Sequence, residues 1–443
     1  MSDPKRAVLI AGLAALALIG LRGPASGAGP AEIVSVARRD FTAARLGRNG
    51  LDLLMEKSGR VFLVVSPGEM AALNALGVPF AVETAKFDRS ITAGLSASGG
   101  INGAFHSTLE LETELRLLER DHPGLASVRE IGETLEKRKI LALKISDNAA
   151  ADEREPAVLF AGCHHAREWI SVEVPFLLGK YLLEHYASNA EIRGLVDASE
   201  IWIVPIVNPD GLEYSIHVYR YWRKNRRANA DGTFGVDINR NYGAAWGYDN
   251  EGSSGYPGSD VYRGTGPFSE PETAALRTLF LGANNDFRAM ISYHSYGQDI
   301  LYPWGYTTDP APTDASLAAI GGTMAGLIAA VRGSDYTSGQ ASRALYLTNG
   351  DTVDWTYSVA GAPSFTIELP PVDIDHGGFF NDEAAIAAVF EENLPAMLYL
   401  ARYAVDHPLA PLRRLPVRRD RDGASPARPG RPIIARPAPG PVR

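Results

Sequence analysis

The chain has 443 residues, a formal charge of −9, 45% hydrophobic and 21% charged residues, and one cysteine. These values exclude a collagen-like or wholly disordered chain and fit a polytopic membrane protein poorly, so a folded body is expected. Cys163 has no second cysteine to pair with, and stability must come from core packing or a bound metal.

The two ends differ from the middle. Residues 1–28 follow the plan of a secretory signal: Lys5 and Arg6, the uncharged run Ala7–Leu21, then small residues from Ala25 to Ala28. The run is 15 residues long, short of the ~20 that a spanning helix needs. Export, with no membrane span in the mature form, is the expectation; an uncleaved anchor is the competing reading. Residues 29–100 form a small α+β unit: Leu51–Leu54, the β-rich Arg60–Val65, the helical spacing of Glu69–Leu76, and Val78–Val82. It dissolves into the Gly/Ser stretch Ser96–Gly103, which reads as a linker or cleavage site. The unit is either an accessory domain or a removable pro-segment.

Residues 101–406 carry longer, regular elements. Leu109–Arg120, Ser171–Tyr186, Pro271–Leu281, Ala315–Val331 and Asp382–Val405 have helical patterns, and Lys139–Ser146, Ala157–Ala161, Ile201–Val207, Arg288–Tyr293 and Pro363–Leu369 read as strands. Asn208-Pro-Asp-Gly211 reads as a turn. Alternating strands and helices imply a single α/β catalytic domain with its chemistry at the carboxyl ends of its strands. Residues 407–443 form a basic Pro/Arg-rich tail. From Leu412 onward nine arginines against Asp420 and Asp422 give +7, with too little apolar surface to order it. Without that tail the remainder carries −16, which argues against nucleic acid as a partner.

Strand Ala157–Ala161 runs into Cys163-His164-His165-Ala-Arg167-Glu168, and Arg288–Tyr293 runs into His294-Ser295-Tyr296. Two imidazoles and a carboxylate suit a catalytic zinc, which keeps one position open for water, and His165, Glu168 and His294 supply that set. His164 is the alternative to His165; the three-residue interval to Glu168 favours His165. Cys163 reads as a small buried hydrophobe. Arg226 and Arg227 read as a solvated basic loop. Asp373 and Asp375 beside Gly377-Gly378 offer at most a structural Ca²⁺ site, with solvated turn acids as the simpler reading.

A longer series gives these residues context: His165-Ala-Arg-Glu-Trp-Ile170, Asn208–Gly211, Trp222-Arg-Lys224, Gly235-Val-Asp-Ile-Asn-Arg-Asn241, His294-Ser-Tyr296, Tyr302-Pro-Trp-Gly305, Asp354-Trp355 and Ser364–Leu369. In order and spacing this series resembles the zinc carboxypeptidases of the A/B type, and the bacterial carboxypeptidase T branch most closely, over about residues 105–405. The resemblance implies a mixed eight-stranded sheet flanked by helices, one Zn²⁺ per catalytic domain, zymogen synthesis, and peptide or protein substrates with a free C-terminal carboxylate. It makes His165, Glu168 and His294 the zinc ligands, with Asp237 orienting a ligand histidine. Glu368 becomes the general base toward a zinc-activated water, and Arg223 the oxyanion partner. Asn239 and Arg240 would hold the substrate carboxylate, Tyr346 would close over it, and Arg167 and Tyr296 would contact the peptide upstream.

By the same register the specificity pocket is lined by Gly305, Ala341, Thr348, Asp351, Val353 and Thr366. Enzymes of the B type carry an acid where Val353 stands, so large apolar C-terminal residues are expected here. Asp351 matches an acid of the dual-specificity T enzymes, which adds Lys and Arg to the expected range. A monomer is expected. The alternatives are a peptidoglycan-peptide peptidase built on the same site and an inactive peptide-binding homologue.

Overall fold

The computed structural model describes residues 32–37, 39–40, 52–57, 60–65, 67–75, 77–84, 102–282 and 285–409. The signal, most of the Gly/Ser linker and nearly all of the basic tail lie outside the described residues.

The N-terminal unit is a four-stranded antiparallel sheet in the order β2-β3-β1-β4, from β1 (Glu32–Ala37), β2 (Asp52–Lys57), β3 (Arg60–Val65) and β4 (Phe80–Val82), with helix α1 (Pro67–Ala75). Val34, Val36, Val61, Leu63, Val65, Leu73 and Val78 form its own small core. Strand β1 is absent from the sequence reading, although the turn signal Gly29-Pro30 stands just before it.

The second unit holds one eight-stranded mixed sheet in the order β11-β10-β12-β9-β7-β8-β6-β5. Its strands are β5 (Ala126–Glu133), β6 (Lys139–Ile145), β7 (Pro156–Ala161), β8 (Glu200–Val204), β9 (Asp286–Ser295), β10 (Asp299–Tyr302), β11 (Thr337–Gln340) and β12 (Ser364–Leu369). The centre, β8-β7-β9-β12, is parallel, and β10 runs antiparallel to β12. The central strands are buried on both faces, which is why they read as continuous apolar runs rather than alternating ones. In β7, Val158 and Phe160 join one core and Ala157, Leu159 and Ala161 the other.

The first core packs against α3 (Ile170–His185), α7 (Asp314–Arg332) and α10 (Ala385–Asp406), and the second against α6 (Pro271–Phe280) and α9 (Thr352–Ala360). Helix α7 is long and apolar enough to cross a bilayer by composition, but Leu317, Ile320, Met324 and Ile328 on one face enter the first core. The remaining helices are α2 (Thr108–Asp121), α4 (Ala190–Val196), α5 (Pro209–His217) and the short α8 (Ala341–Ala344).

Local chemistry sets the helix boundaries. A capping box between Ser107 and Glu110 starts α2. The segment Asn208–Gly211 is not a free turn. Asn208 accepts from Gly211 N at 3.0 Å and Pro209 occupies the first turn, so these residues start α5.

The loop that approaches the sheet's carboxyl edge is held from below by a buried acid pair. Asn225 receives the amide of Val236 and donates to Glu270 Oε2 at 2.8 Å and Glu272 Oε2 at 3.2 Å. Arg227 neutralises Glu270 at 2.6 Å and Arg226 stacks on Tyr214, so neither is the solvated loop residue expected from sequence. Glu272 has no cation of its own, and burial pushes its carboxyl up to about 8. A folded pKa raised above the unfolded value leaves stability intact below pH ~4.5 and erodes it as pH climbs toward 8. Replacing Glu272 by Gln removes this loss. The variant's thermal midpoint relative to wild type should rise on the order of several degrees between pH 5 and pH 9, and a difference that does not change with pH would refute the assignment.

Candidate active site

The parallel strands deliver their chemistry at one edge. Beyond β7 the chain turns at Cys163, with φ of 52°, and reaches His165 and Glu168 just before α3. Strand β9 supplies His294. His165 Nδ1 lies 2.8 Å from Glu168 Oε1, His294 Nδ1 lies 3.0 Å from Glu168 Oε2, and the two Nδ1 atoms are 3.1 Å apart. All three residues are buried, and they form a group of donors close enough to share one ion.

The outer nitrogens of both rings are engaged elsewhere. His165 Nε2 lies 3.3 Å from Asp237 Oδ1, and His294 Nε2 lies 3.0 Å from Ser292 Oγ. The Asp237 carboxylate favours the proton on His165 Nε2, while His294 Nε2 also faces Asn239 Nδ2 at 3.4 Å; with the proton on Nε2 in both rings, both Nδ1 lone pairs turn to the same point, as in metal-ligating histidines generally. Two bare imidazole nitrogens about 3 Å apart, each facing one oxygen of the same carboxylate, repel their neighbours unless a cation joins them, and the set suits zinc, with bonds of about 2.0–2.2 Å. The residues therefore fit the metal that the sequence implied.

His164 does not join the donor cluster. Its Nε2 meets Tyr242 Oη at 2.9 Å and Thr352 Oγ1 at 3.0 Å, and its Nδ1 meets Ser292 Oγ at 3.2 Å. Burial drives its pKa well below the usual range, and its ring stacks on His294. Cys163 is fully buried, burial raises its thiol pKa, and its Sγ faces the His165 carbonyl at 3.9 Å rather than the donor cluster.

Asp237 joins the donor cluster to Arg223. Its Oδ2 accepts from Arg223 Nε at 3.0 Å and Nη2 at 2.9 Å, and its Oδ1 caps the turn at Asn239 N at 2.9 Å. Burial opposes its ionisation, yet Arg223, Arg240 and His165 outweigh burial and hold it well below the usual carboxylate range. The turn presents Asn239 and Arg240. Asn239 Oδ1 accepts from Thr352 N and Oγ1 at 3.0 and 2.8 Å, and Arg240 donates from Nε to Gly252 O at 3.0 Å. Tyr346 is half-buried on the segment between α8 and α9. The end of that segment is pinned by Thr348 N to Gly305 O at 3.0 Å and Asn349 Nδ2 to Asp249 Oδ1 at 2.6 Å.

Glu368 is the Cα partner of His294 across β12 and β9, so both project from the same face of adjacent strands. Burial, and then the charges of Glu168 and Asp299, push its pKa well above the usual range. Gly305 closes the pocket wall: a Cβ there would meet Thr348 Oγ1 at 2.1 Å and Asp351 Oδ2 at 2.6 Å. Val353 and Ala341 are buried and Thr366 is half-buried. Asp351 also caps α9, with Oδ1 accepting from Asp354 N at 2.8 Å and Oδ2 from Thr348 Oγ1 at 2.5 Å. Burial raises its pKa.

Two residues absent from the sequence reading complete the rim. Phe379 brings Arg167 and Tyr296 together, with the Arg167 guanidinium 4.3 Å from its ring centroid and Tyr296 edge-on at 4.8 Å. Arg220 spans Trp169 and Phe380, donates to Arg167 O and Phe379 O at 2.6 and 2.5 Å, and is lowered to about 9 by burial. The Gly-Gly-Phe-Phe run at 377–380 hinted at an exposed aromatic turn, but its partners lie far away in sequence. The calcium reading gains no support, because Asp373 Oδ1 is occupied by His376 Nδ1 at 2.6 Å.

The donor geometry predicts that the protein retains one zinc per chain after dialysis. Replacing His165, Glu168 or His294 by Ala should lower bound zinc at least tenfold by elemental analysis, while His164→Ala should keep it.

The chain has known relatives. The zinc carboxypeptidase family model matches residues 111–396. A zinc carboxypeptidase of Saccharothrix mutabilis subsp. capreolus is 33% identical over 429 residues, covering 91% of this chain and 98% of that protein. Mouse carboxypeptidase A1 is 33% identical over 306 residues, covering 69% of this chain and 71% of that protein. The crystal structure of carboxypeptidase A from Helicoverpa armigera superposes with a TM-score of 0.70 at 27% identity, covering 85% of this chain and 98% of that one. The chain therefore belongs to the zinc carboxypeptidase family and is a zinc-dependent exopeptidase that removes C-terminal residues from peptides.

Proposed function

We propose that His165, Glu168 and His294 hold the catalytic zinc and that Glu368 is the general base. The observation that carries this reading is the convergence of two imidazole nitrogens and both oxygens of the Glu168 carboxylate, at separations of 2.8–3.1 Å, beside the Glu368-bearing strand. When bound, zinc supplies a Lewis acid that polarises the scissile carbonyl and acidifies water. Glu368 takes the proton of the attacking water and delivers it to the leaving amine. Arg223, aimed by its two bonds to Asp237, meets the developing oxyanion with a charge that needs no proton exchange. Asn239 and Arg240 grip the terminal carboxylate, Tyr346 covers it, and Arg167 and Tyr296 hold the upstream peptide against Phe379. An internal peptide bond offers no carboxylate to this fork, which restricts attack to chain ends.

Zinc-loaded Glu368→Gln should keep its metal and lose about 10²–10⁴-fold in kcat on a C-terminal Phe peptide. Near-wild-type turnover would remove Glu368 from the chemistry.

We assign the pocket of Gly305, Ala341, Thr348, Asp351, Val353 and Thr366 to the departing side chain. Its apolar floor at Val353 suits aromatic and aliphatic residues, and the buried Asp351 carboxylate suits Lys and Arg as well. Asparagine caps helices about as well as aspartate, so Asp351→Asn separates the charge from the cap. It should lower kcat/KM for C-terminal Lys and Arg peptides about tenfold more than for Phe or Leu peptides. An equal loss on both would leave Asp351 with its capping role alone.

The organisation we propose is a signal at 1–28, a pro-segment and linker at 29–100, a catalytic domain at 101–406 and a basic tail from 407. Both the bacterial relative and the insect structure align well beyond the catalytic region, which supports an N-terminal unit shared with them. The signal pattern supports export, and the mature enzyme is read as a monomer.

A further inference from the structure

His294 on β9, Glu368 on β12 and Asp299 on β10 are successive Cα partners across three adjacent strands. Tyr293, Ile367, Leu369, Ile300 and Tyr302, which alternate with them, all enter the first core. The three therefore share the opposite face, at the edge where the cleft lies. The reaction as proposed uses the first two and leaves Asp299 without a part.

Asp299 is half-buried, and burial alone lifts its carboxyl to about 6, with no cation or donor contributing. Its carboxylate is not sealed off by its neighbours. A Cβ at Gly297 would stand 2.9 Å from Asp299 Oδ2 and 3.5 Å from Glu368 Cβ. Glycine at 297 thus keeps the space beside Asp299 Oδ2 clear of a side chain, which would stand too close to that oxygen.

The direction of β10 says which substrate residue reaches that space. Inward from Asp299 the strand passes Leu301, opposite Thr366, and continues to Gly305 against Thr348 and Asp351. The pocket for the departing side chain lies at that inner end. Asp299 lies at the outer end, next to Gly297 and the Tyr296–Phe379 contact that carries the upstream peptide.

We propose that Asp299 is the acidic wall of a subsite for the penultimate residue, the one whose carbonyl is attacked, and that it selects Lys or Arg there. This rests on the reading of Glu368 as the base. A cationic head placed in the space beside Gly297 gives Asp299 the charged partner that the protein withholds, and it also relieves the repulsion between Asp299 and Glu368. A partly exposed pair of this kind is worth a severalfold preference rather than absolute selection.

The test measures kcat/KM of the zinc-loaded enzyme on N-blocked tripeptides Ala-X-Phe with X varied among Lys, Arg, Gln, Leu and Glu. Wild type should favour Lys and Arg over Gln by about three- to tenfold, Asp299→Asn should bring that ratio to about one, and Asp299→Lys should turn it toward Glu. Equal turnover of Lys, Arg and Gln by wild type, or a preference that survives Asp299→Asn, overturns the proposal. So does an Asp299→Asn effect that scales kcat by one factor for every X, which would make Asp299 a modulator of Glu368. No turnover of any peptide would instead sink the assignment of Glu368, and this subsite with it.

Discussion

One buried carboxylate holds the site together. Asp237 takes two bonds from Arg223 on a single oxygen, and its other oxygen faces a histidine of the donor cluster and caps the turn that presents Asn239 and Arg240. Removing one partner of such a buried set strands the others without compensation, which is the expensive way to break it. Under the proposed roles, metal-ligand orientation, oxyanion charge and carboxylate grip stand or fall together. The acid-paired loop at Asn225 and Glu270 supports this hub from beneath.

The sheet supplies what the hub lacks. Because His294 and Glu368 are paired residues of parallel strands, their separation is set by strand spacing, about 4.8 Å, and by the register of β9 against β12. A slip of one residue would turn Glu368 into the first core and Ile367 into the cleft. Core packing of Ile367 and Leu369 thus keeps the base where it can act.

Much of this was legible beforehand because the residues sit where local pattern and chemistry coincide. The apolar run of β7 marked a buried strand, and the His-x-x-Glu beyond it falls in the donor cluster at the carboxyl edge. What stayed hidden depends on distance in the chain. Strand β10 is four residues long and is recognisable only by its pairing with β12. Phe379 and Arg220 matter through partners that no periodicity reveals. Asn208–Gly211 was misread because Asn and Pro serve turns and helix starts with the same local geometry. Arg226 and Arg227 looked solvated because sequence does not show which aromatic ring or carboxylate folds over a cation.

Asp351 has one further consequence. It forms a wall of the pocket and also starts α9, and its neighbour Asp354 receives the Gly305 amide. Residues that fill a pocket normally drift freely under selection for new substrates. A replacement at 351 that keeps the start of α9 must also cap a helix, which limits it chiefly to Asn, Ser and Thr. Changes of diet in this lineage would then be routed through Val353 or Thr366, which carry no such second duty, while position 351 alternates among a few small polar residues.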